Sequence, residues 1–318
     1  MIVVTGGAGF IGSNLVKALN ERGRSDILVV DELVNGRKMR NLVDCDILDL
    51  LDKDAFLSRV LAGGGIGESV DVVFHQGACS DTMEWNGAYM LENNTHYSEA
   101  LLAFALERDI PFIYASSASV YGSGQRFLEE RSCEAPLNPY AYSKFLFDSH
   151  VRRQLASASS QIVGLRYFNV YGPREQHKGE MASVAYKLHC QVVESGEARL
   201  FEGSNGYGDG EQERDFVWVG DAVAVNLWAW EHPDRSGIFN VGTGRAQSFN
   251  DVARAVIAFH GRGEIVYVPF PDSLRQSYQS FTQADLSALR KAGYPERFLS
   301  VEEGVARYLE WLAGAAGP

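Results

Sequence analysis

The chain has 318 residues, 46% of them hydrophobic and 22% charged, with a formal net charge of −12. This length suits one large α/β domain with a smaller companion. The acidic balance argues against a nucleic-acid or anionic-membrane surface, because both reward Lys and Arg. No apolar run approaches the roughly 20 residues needed to span a bilayer, and the start lacks the basic and apolar regions of a signal peptide. A cytoplasmic protein is therefore expected. Cys45, Cys79, Cys133 and Cys190 are scattered without paired spacing, which predicts reduced thiols and no zinc or other metal site.

In chain order, Ile2–Thr5, Ile27–Asp31, 70–75, 112–116 and Ile162–Tyr167 are short apolar runs rich in β-branched residues. Such runs suit strands buried on both faces of a parallel sheet. Between them, stretches such as 14–22 and 97–107 repeat apolar residues at helical spacing. The alternation predicts an α/β fold, a Rossmann-type doubly wound parallel sheet. After residue 167 the rhythm becomes irregular. Segment 202–214 is rich in Gly and acidic residues and reads as an exposed loop. Helices are expected over 221–232, 250–261 and 301–312, and a frayed tail over 314–318. The predicted organisation is a dinucleotide-binding domain over 1–167, to which 215–240 returns. Segments 168–214 and 241–318 form a smaller, interleaved α/β substrate-binding lobe.

The first strand runs into Gly6-Gly7-Ala8-Gly9-Phe10-Ile11-Gly12 and then a helix. Glycines at 6, 9 and 12 permit a tight turn, close backbone approach to a pyrophosphate and close helix–strand packing. The helix N-terminus offers N–H groups to the phosphates. Asp31 ends the second strand about 20 residues further on, where an acid accepts hydrogen bonds from the adenosine ribose. That placement favours NAD, whereas Lys38 or Lys53 would neutralise the extra phosphate of NADP; a solvated surface role for each lysine also remains open. Asp46 and Ile47, after a short strand-like run, are candidates to meet the adenine. Gln76, Gly77, Ala78, Cys79 and Ser80 follow the third apolar run with small residues where backbone must pass near a cofactor.

Tyr140 and Lys144 form a Tyr-x-x-x-Lys pair. On a helix this spacing puts both side chains on one face. A free phenol ionises near pH 10, too high for an efficient base. A neighbouring ammonium lowers that value, and the same lysine can hold a ribose hydroxyl. Ser117, at a strand end, is placed to hydrogen-bond a reacting alcohol or carbonyl. Tyr142 lacks a lysine four residues on and reads as structural.

Together with Ser116-Ser117-Ala118-Ser119-Val120-Tyr121-Gly122, Arg166-Tyr167-Phe168-Asn169-Val170-Tyr171-Gly172-Pro173, Arg214-Asp215-Phe216-Val217-Trp218-Val219-Gly220-Asp221 and Phe239-Asn240-Val241-Gly242-Thr243-Gly244, these motifs resemble the extended short-chain dehydrogenase/reductase family. The resemblance covers nearly the whole chain and implies a nucleotide-sugar enzyme, with Asn169 and Arg214 as substrate contacts. Dehydratases of the family carry an acidic pair where this chain has Ala118 and Ser119, so dehydration is not expected.

Three segments narrow the resemblance to the ADP-heptose 6-epimerase subfamily: Gly172 through Ser183, Phe201-Glu202-Gly203-Ser204, and Phe281-Thr282-Gln283-Ala284-Asp285-Leu286. The subfamily implies resident NADP, inversion at C6″ of an ADP-heptose for lipopolysaccharide core synthesis, and a homo-oligomer with the homopentamer as its candidate form. It implies Lys178 as a second catalytic residue, with a phosphate-binding or surface lysine as the alternative. Inverting an unactivated carbinol through a ketone leaves the oxygen in two successive places, each needing its own proton carrier. The resemblance further implies cofactor contacts at Glu32, Asn93, Val170 and Lys178. Substrate contacts are implied at Glu180, Lys187, Phe201, Glu202, Gly203, Ser204 and Tyr278. Glu180 stands where the subfamily tends to have Ser, Lys187 where it tends to have His, and the 205–213 loop is longer than usual. A hexose 4-epimerase or an NAD(P)-dependent sugar reductase would share every family motif. A catalytically silent redox-sensing or scaffold protein would commonly lose the tyrosine, which is intact here.

Overall fold

A computed structural model describes residues 1–63, 69–271 and 279–315. Strands β1 (Ile2–Thr5), β2 (Ile27–Asp31), β3 (Asp49–Asp52), β4 (Val72–His75), β5 (Phe112–Ser117) and β6 (Ile162–Tyr167) join strand Gly237–Val241 in a seven-stranded sheet. Its order is Gly237–Val241, β6, β5, β4, β1, β2, β3. The registers of β1 with β2 and β4, of β2 with β3, and of β4 with β5 are all parallel. This is the expected Rossmann-type doubly wound α/β sheet. Strands β1, β2, β4 and β6 are buried at every residue, as helices on both faces require. Met1, Val3, Phe56, Phe104, Phe112 and Phe147 share one apolar cluster on this sheet.

The chain divides into two compact units. The first comprises 1–120, 136–166 and 223–239; the second comprises 121–135, 167–222 and 240–318. In the second, helices Val184–Ser195, Phe249–His260 and Val301–Ala315 pack around a core containing Leu188, Val192, Val252, Val256, Tyr308 and Leu309. Strand Glu197–Phe201 lies parallel to Glu264–Val268, and Asn169–Tyr171 parallel to Phe216–Trp218. Ser248 and Asp251 form a reciprocal capping box at the start of Phe249–His260, and Gly261 ends that helix in the left-handed conformation.

Several boundaries differ from the sequence expectation. Segment 202–214 is not an exposed loop throughout, because Gln212 and Arg214 are buried and Glu213–Arg214 pairs with Gln247–Ser248. The run before Asp46 is the 3-10 helix Gly36–Leu42, and the strand comes after it as β3. The last helix continues to Ala315, into the expected tail. Among the described residues no helix is long and apolar enough to cross a membrane, and no group of three His, Cys, Asp or Glu side chains is arranged to hold a metal ion.

Candidate functional site

The glycine turn is crowded in the way close backbone approach demands. Gly6 has φ +64°, and a Cβ there would lie 2.6 Å from the Gly77 Cα; a Cβ on Gly12 would lie 2.1 Å from the Gly6 carbonyl oxygen. Gly9 is the N-cap of helix Phe10–Glu21, whose first turn carries neither a capping side chain nor an acid. An anion at this helix end is therefore complemented rather than repelled. At the end of β2, the Asp31 carboxylate accepts from the Ala8 amide (2.9 Å) and the Glu32 amide (2.8 Å). Lys38 Nζ lies 2.5 Å from Asp31 and 3.5 Å from Glu32. Asn41 Nδ2 donates to the Ala8 carbonyl (3.0 Å). Lys53 follows the end of β3, beside Asp31 in register, and its ammonium pairs with Asp54 (2.7 Å). Asp46 sits elsewhere: its backbone exchanges two hydrogen bonds with Asn20 (2.7 and 2.8 Å) near the far end of helix Phe10–Glu21. The structure thus brings Gly6, Gly9, Phe10, Ile11, Gly12, Asp31, Glu32, Lys38 and Lys53 to the carboxyl ends of β1, β2 and β3. Asp46 and Ile47 lie toward the opposite, amino end of the strands, since twelve helical residues span about 18 Å.

After β4, His75 is fully buried with both ring nitrogens engaged, Nδ1 with Thr5 Oγ1 (2.6 Å) and Nε2 with Ser98 Oγ (2.7 Å). Ser98 Oγ donates to the Asn94 carbonyl, so its oxygen accepts from His75 Nε2–H. Nδ1 is then the acceptor for Thr5 O–H, and Thr5 Oγ1 accepts the Gly77 amide (3.2 Å). Burial pushes the imidazole down to about 3, with Lys144 adding to the shift, so the ring is neutral. Gln76 Nε2 donates to Asn226 (2.9 Å). The Asn94 side chain clamps Cys79 from both sides, accepting from its amide (2.8 Å) and donating to its carbonyl (3.0 Å). Asn94 also donates to Ser143 Oγ (3.0 Å), which donates to the Tyr140 carbonyl (2.7 Å). Asn94 lies in a π-helical turn, Leu91–His96, a geometry frequent at functional sites. Sequence reasoning named its neighbour Asn93, which donates to Asn94 Oδ1 (3.2 Å), and missed Asn94 itself. Ala78 is half-buried and Ser80 exposed on the same turn.

Helix Pro139–Gln154 begins with Pro139 in its first turn and Asn138 as N-cap, whose side chain accepts from the Ala141 amide (2.8 Å). This start fixes Tyr140 in the first turn and Lys144 one turn on. Tyr140 and Ser117 are hydrogen-bonded through their side chains, and the buried Lys144 ammonium donates to the Ala115 carbonyl (2.8 Å). Burial pushes the Tyr140 phenol up, and Ser117 is what pulls it down. The expected lowering by Lys144 is thus a correction: the ammonium is anchored on strand β5, and burial lowers it to about 8. Tyr142 is exposed, its ring 5.7 Å from that of Phe145.

In the second unit, Lys178 is half-buried on the 3-10 turn Gln176–Met181, which Gly179 breaks with φ +53°. Burial lowers its proton affinity, Glu175 opposes that and Lys187 reinforces it. Glu175 is fully buried, accepting from the Gly172 amide (3.2 Å), the Ser183 amide (2.6 Å) and Ser183 Oγ (2.7 Å), so it braces the turn. The two residues that depart from the subfamily pattern meet each other: Lys187 Nζ donates to the Glu180 carbonyl (2.5 Å) and lies 3.5 Å from its carboxylate. Arg214 is buried, its guanidinium 5.7 Å from the Phe249 ring centroid. Asn169 is exposed and Val170 half-buried on strand Asn169–Tyr171. Asp215, fully buried, accepts from Thr243 twice (2.7 Å each), from Gly244 (2.9 Å) and from Ala284 (3.0 Å). It ties the Arg214-Asp215 motif to the Phe239–Gly244 motif, a link the sequence did not reveal. Phe201 packs on Phe270, the Glu202 amide donates to Val268 (2.8 Å), Gly203 donates to Asp209 (2.8 Å) and Ser204 accepts from Gln212 (3.1 Å). Tyr278 lies outside the described residues.

With this geometry in hand, comparison with known proteins gives a consistent answer. The chain is similar to the solved ADP-L-glycero-D-manno-heptose-6-epimerase of Helicobacter pylori, at 31% identity and TM-score 0.85, covering 98% of this chain and 96% of that one. It is similar to the UDP-N-acetylglucosamine 4-epimerase of Methanobrevibacter ruminantium (27% identity, TM-score 0.83, 99% and 98% covered). It is also similar to the Thermus thermophilus UDP-glucose 4-epimerase in complex with NAD (27%, TM-score 0.80, 99% of each chain). The sequence pattern of the NAD dependent epimerase/dehydratase family matches residues 2–242. The chain belongs to the NAD dependent epimerase/dehydratase family.

Proposed function

We propose that this enzyme is an ADP-heptose 6-epimerase that interconverts ADP-D-glycero-β-D-manno-heptose and ADP-L-glycero-β-D-manno-heptose with a resident NADP, in the synthesis of the lipopolysaccharide core. The observation that carries the reading is a second half-buried amine with lowered proton affinity, Lys178 on its Glu175-braced turn, in addition to the Tyr140–Ser117–Lys144 group. The heptose-type segment from Gly172 to Ser183 and the 31% identity to the Helicobacter pylori enzyme support the same substrate.

The residues at the glycine turn fit a dinucleotide, because Gly6 and Gly12 leave no room for a Cβ and the helix start behind them is uncapped by side chains. Gly6 through Gly12 would hold the pyrophosphate, Asp31 and Glu32 the ribose, and Lys144 the nicotinamide ribose. Lys38, already neutralising Asp31, would accommodate the extra phosphate of NADP. When bound, the cofactor supplies reversible two-electron exchange at the sugar carbon. Tyr140 carries the proton at one oxygen position and Lys178 at the other, so that neither has to reach both. Ser117 orients the oxygen served by Tyr140. Asn169 and Arg214 contact the substrate, Arg214 holding the diphosphate by its fork of donors. Glu180, Lys187, Phe201 through Ser204 and Tyr278 contribute to substrate recognition. Placement in the cytoplasm as a homo-oligomer, with a pentamer as the candidate form, belongs to the same proposal; light scattering during gel filtration tests the mass.

The deciding experiment incubates purified protein with ADP-D-glycero-β-D-manno-heptose, no cofactor added, and resolves the C6″ epimers. Formation of both epimers supports the proposal. No conversion after NADP is supplied overturns it. The similarity to UDP-sugar 4-epimerases then makes hexose 4-epimerisation the next reading, assayed on UDP-glucose.

A further inference from the structure

Helix Pro139–Gln154 carries a third polar residue on the face of Tyr140 and Lys144, since Asp148 follows at the same spacing of four. Each of the three grips strand β5 at a successive point. Tyr140 bonds Ser117, Lys144 Nζ donates to the Ala115 carbonyl (2.8 Å), and Asp148 accepts from Ser116 Oγ (2.9 Å) and Tyr114 O–H (2.9 Å). Asp148 is fully buried, and so is Arg166 on the neighbouring strand β6, which donates Nε (2.9 Å) and Nη2 (2.8 Å) to the same carboxylate oxygen as Ser116. A buried carboxylate is costly unless paired and bonded, and here two hydroxyls and the two nitrogens of one guanidinium satisfy it.

We infer that Asp148 is a positioning residue for the Tyr140–Lys144 pair: it locks the helix in register on β5 and supplies the buried negative charge that keeps Lys144 an ammonium. The groups facing Lys144 are His75 on β4, the Cys79 thiol on the following turn and Asp148 on its own helix. Around Asp148 stand Tyr114, Ser116 and Arg166, with Arg152 acting on Tyr114. His75 is neutral, so the carboxylate that faces Lys144 is that of Asp148, ion-paired with Arg166 at 2.8 Å. Burial of Lys144 lowers its proton affinity and Asp148 is the first group to oppose that.

The inference rests on Tyr140 and Lys144 being the reactive pair, not on the heptose, so it is tested with whichever nucleotide sugar the wild-type enzyme turns over. Asp148→Asn alone leaves Arg166 buried and unpaired and risks the fold, so the variant is Asp148→Asn/Arg166→Met, which is neutral overall. The expected result is an unchanged KM, a kcat reduced severalfold but by no more than about tenfold at pH 8.5, and recovery toward wild type at pH 6, where Lys144 regains its proton. The alkaline limb of the kcat profile moves down by about one pH unit. An unmoved limb, whether kcat is normal or uniformly reduced, overturns the charge role. Should that variant not fold, Ser116→Ala removes one grip with little change in packing. A severalfold fall in kcat at constant KM is expected, and wild-type kcat overturns the register role. Tyr140→Phe is the control: if it stays active the pair itself is wrong, whereas an inactive Tyr140→Phe beside an unmoved profile overturns Asp148 alone.

Discussion

In the first unit, Tyr140, Ser117 and Lys144 are fixed by a capped sixteen-residue helix and a buried strand, with the Lys144 ammonium on the Ala115 carbonyl at 2.8 Å. In the second, Lys178 and Glu180 depend on a six-residue 3-10 turn with a left-handed glycine, and the partly exposed Lys187 reaches the exposed Glu180 from helix Val184–Ser195. Regular elements hold geometry to fractions of an ångström, and the Tyr140–Lys144 pair sits on them. Lys178, the second proton carrier of the proposed function, has instead a turn braced by the buried Glu175. Recognition residues vary from one relative to the next, which irregular surface segments tolerate. The Glu180–Lys187 contact shows how: two departures from the subfamily pattern are accommodated together by pairing with each other.

The comparison can be broken by mutation. Tyr140→Phe should lower kcat by about 10³-fold while KM stays within about threefold, as loss of a general acid–base does. Lys178→Met should cost about 10²-fold in epimerisation; an effect larger than that of Tyr140→Phe would reverse the ranking of the two units, and no effect would make Lys178 a surface lysine. Gly12→Ala forces a methyl against the Gly6 carbonyl and should destabilise the protein by about 2–3 kcal/mol, as overpacking does. Cofactor content and melting temperature would fall together. Acid should also act first on the rigid unit. Because folding depresses the His75 value to about 3 from 6.5, its contribution is present above pH 6.5 and lost as pH falls, at about 1.4 kcal/mol per unit. Asp221, pushed up to about 6 by burial, works in the opposite direction. Urea unfolding of the wild type and His75→Gln at pH 7, 5.5 and 4.5 isolates the histidine, whose replacement should flatten the slope. Smallest of all, Glu180→Ser/Lys187→His should change KM less than threefold, since an exposed pair contributes under about 1 kcal/mol.

Much of the first unit was legible in the sequence. Strands β1, β2 and β6 fall where their β-branched runs predicted, because burial on both faces confines polar residues to one position at or beside the strand's end. Strand β3 was hidden by Asp at both ends and by its place at the sheet edge. Strands Glu197–Phe201 and Glu264–Val268 were hidden because they are only partly buried and pair with each other across more than sixty residues. In the site, spacing revealed Tyr140 and Lys144. Asp148 stands at the same spacing but was not singled out, because its meaning needs Arg166 and Ser116 beside it. Asn94 carried no signal at all: its role comes from a π turn that brings Cys79 and Ser143 to one amide, and no local pattern encodes that meeting.

The order of the central sheet has a consequence for the protein during its synthesis. The fully buried strand β6 leaves the ribosome about seventy residues before Gly237–Val241, the strand that covers its outer edge. Through that interval the nascent chain holds a nearly finished sheet with an open, hydrogen-bond-hungry rim, the kind of edge that recruits foreign strands. Translation speed across residues 167–241, and chaperone capture of chains paused there, should therefore govern the yield of folded enzyme more than the intrinsic stability of either unit does.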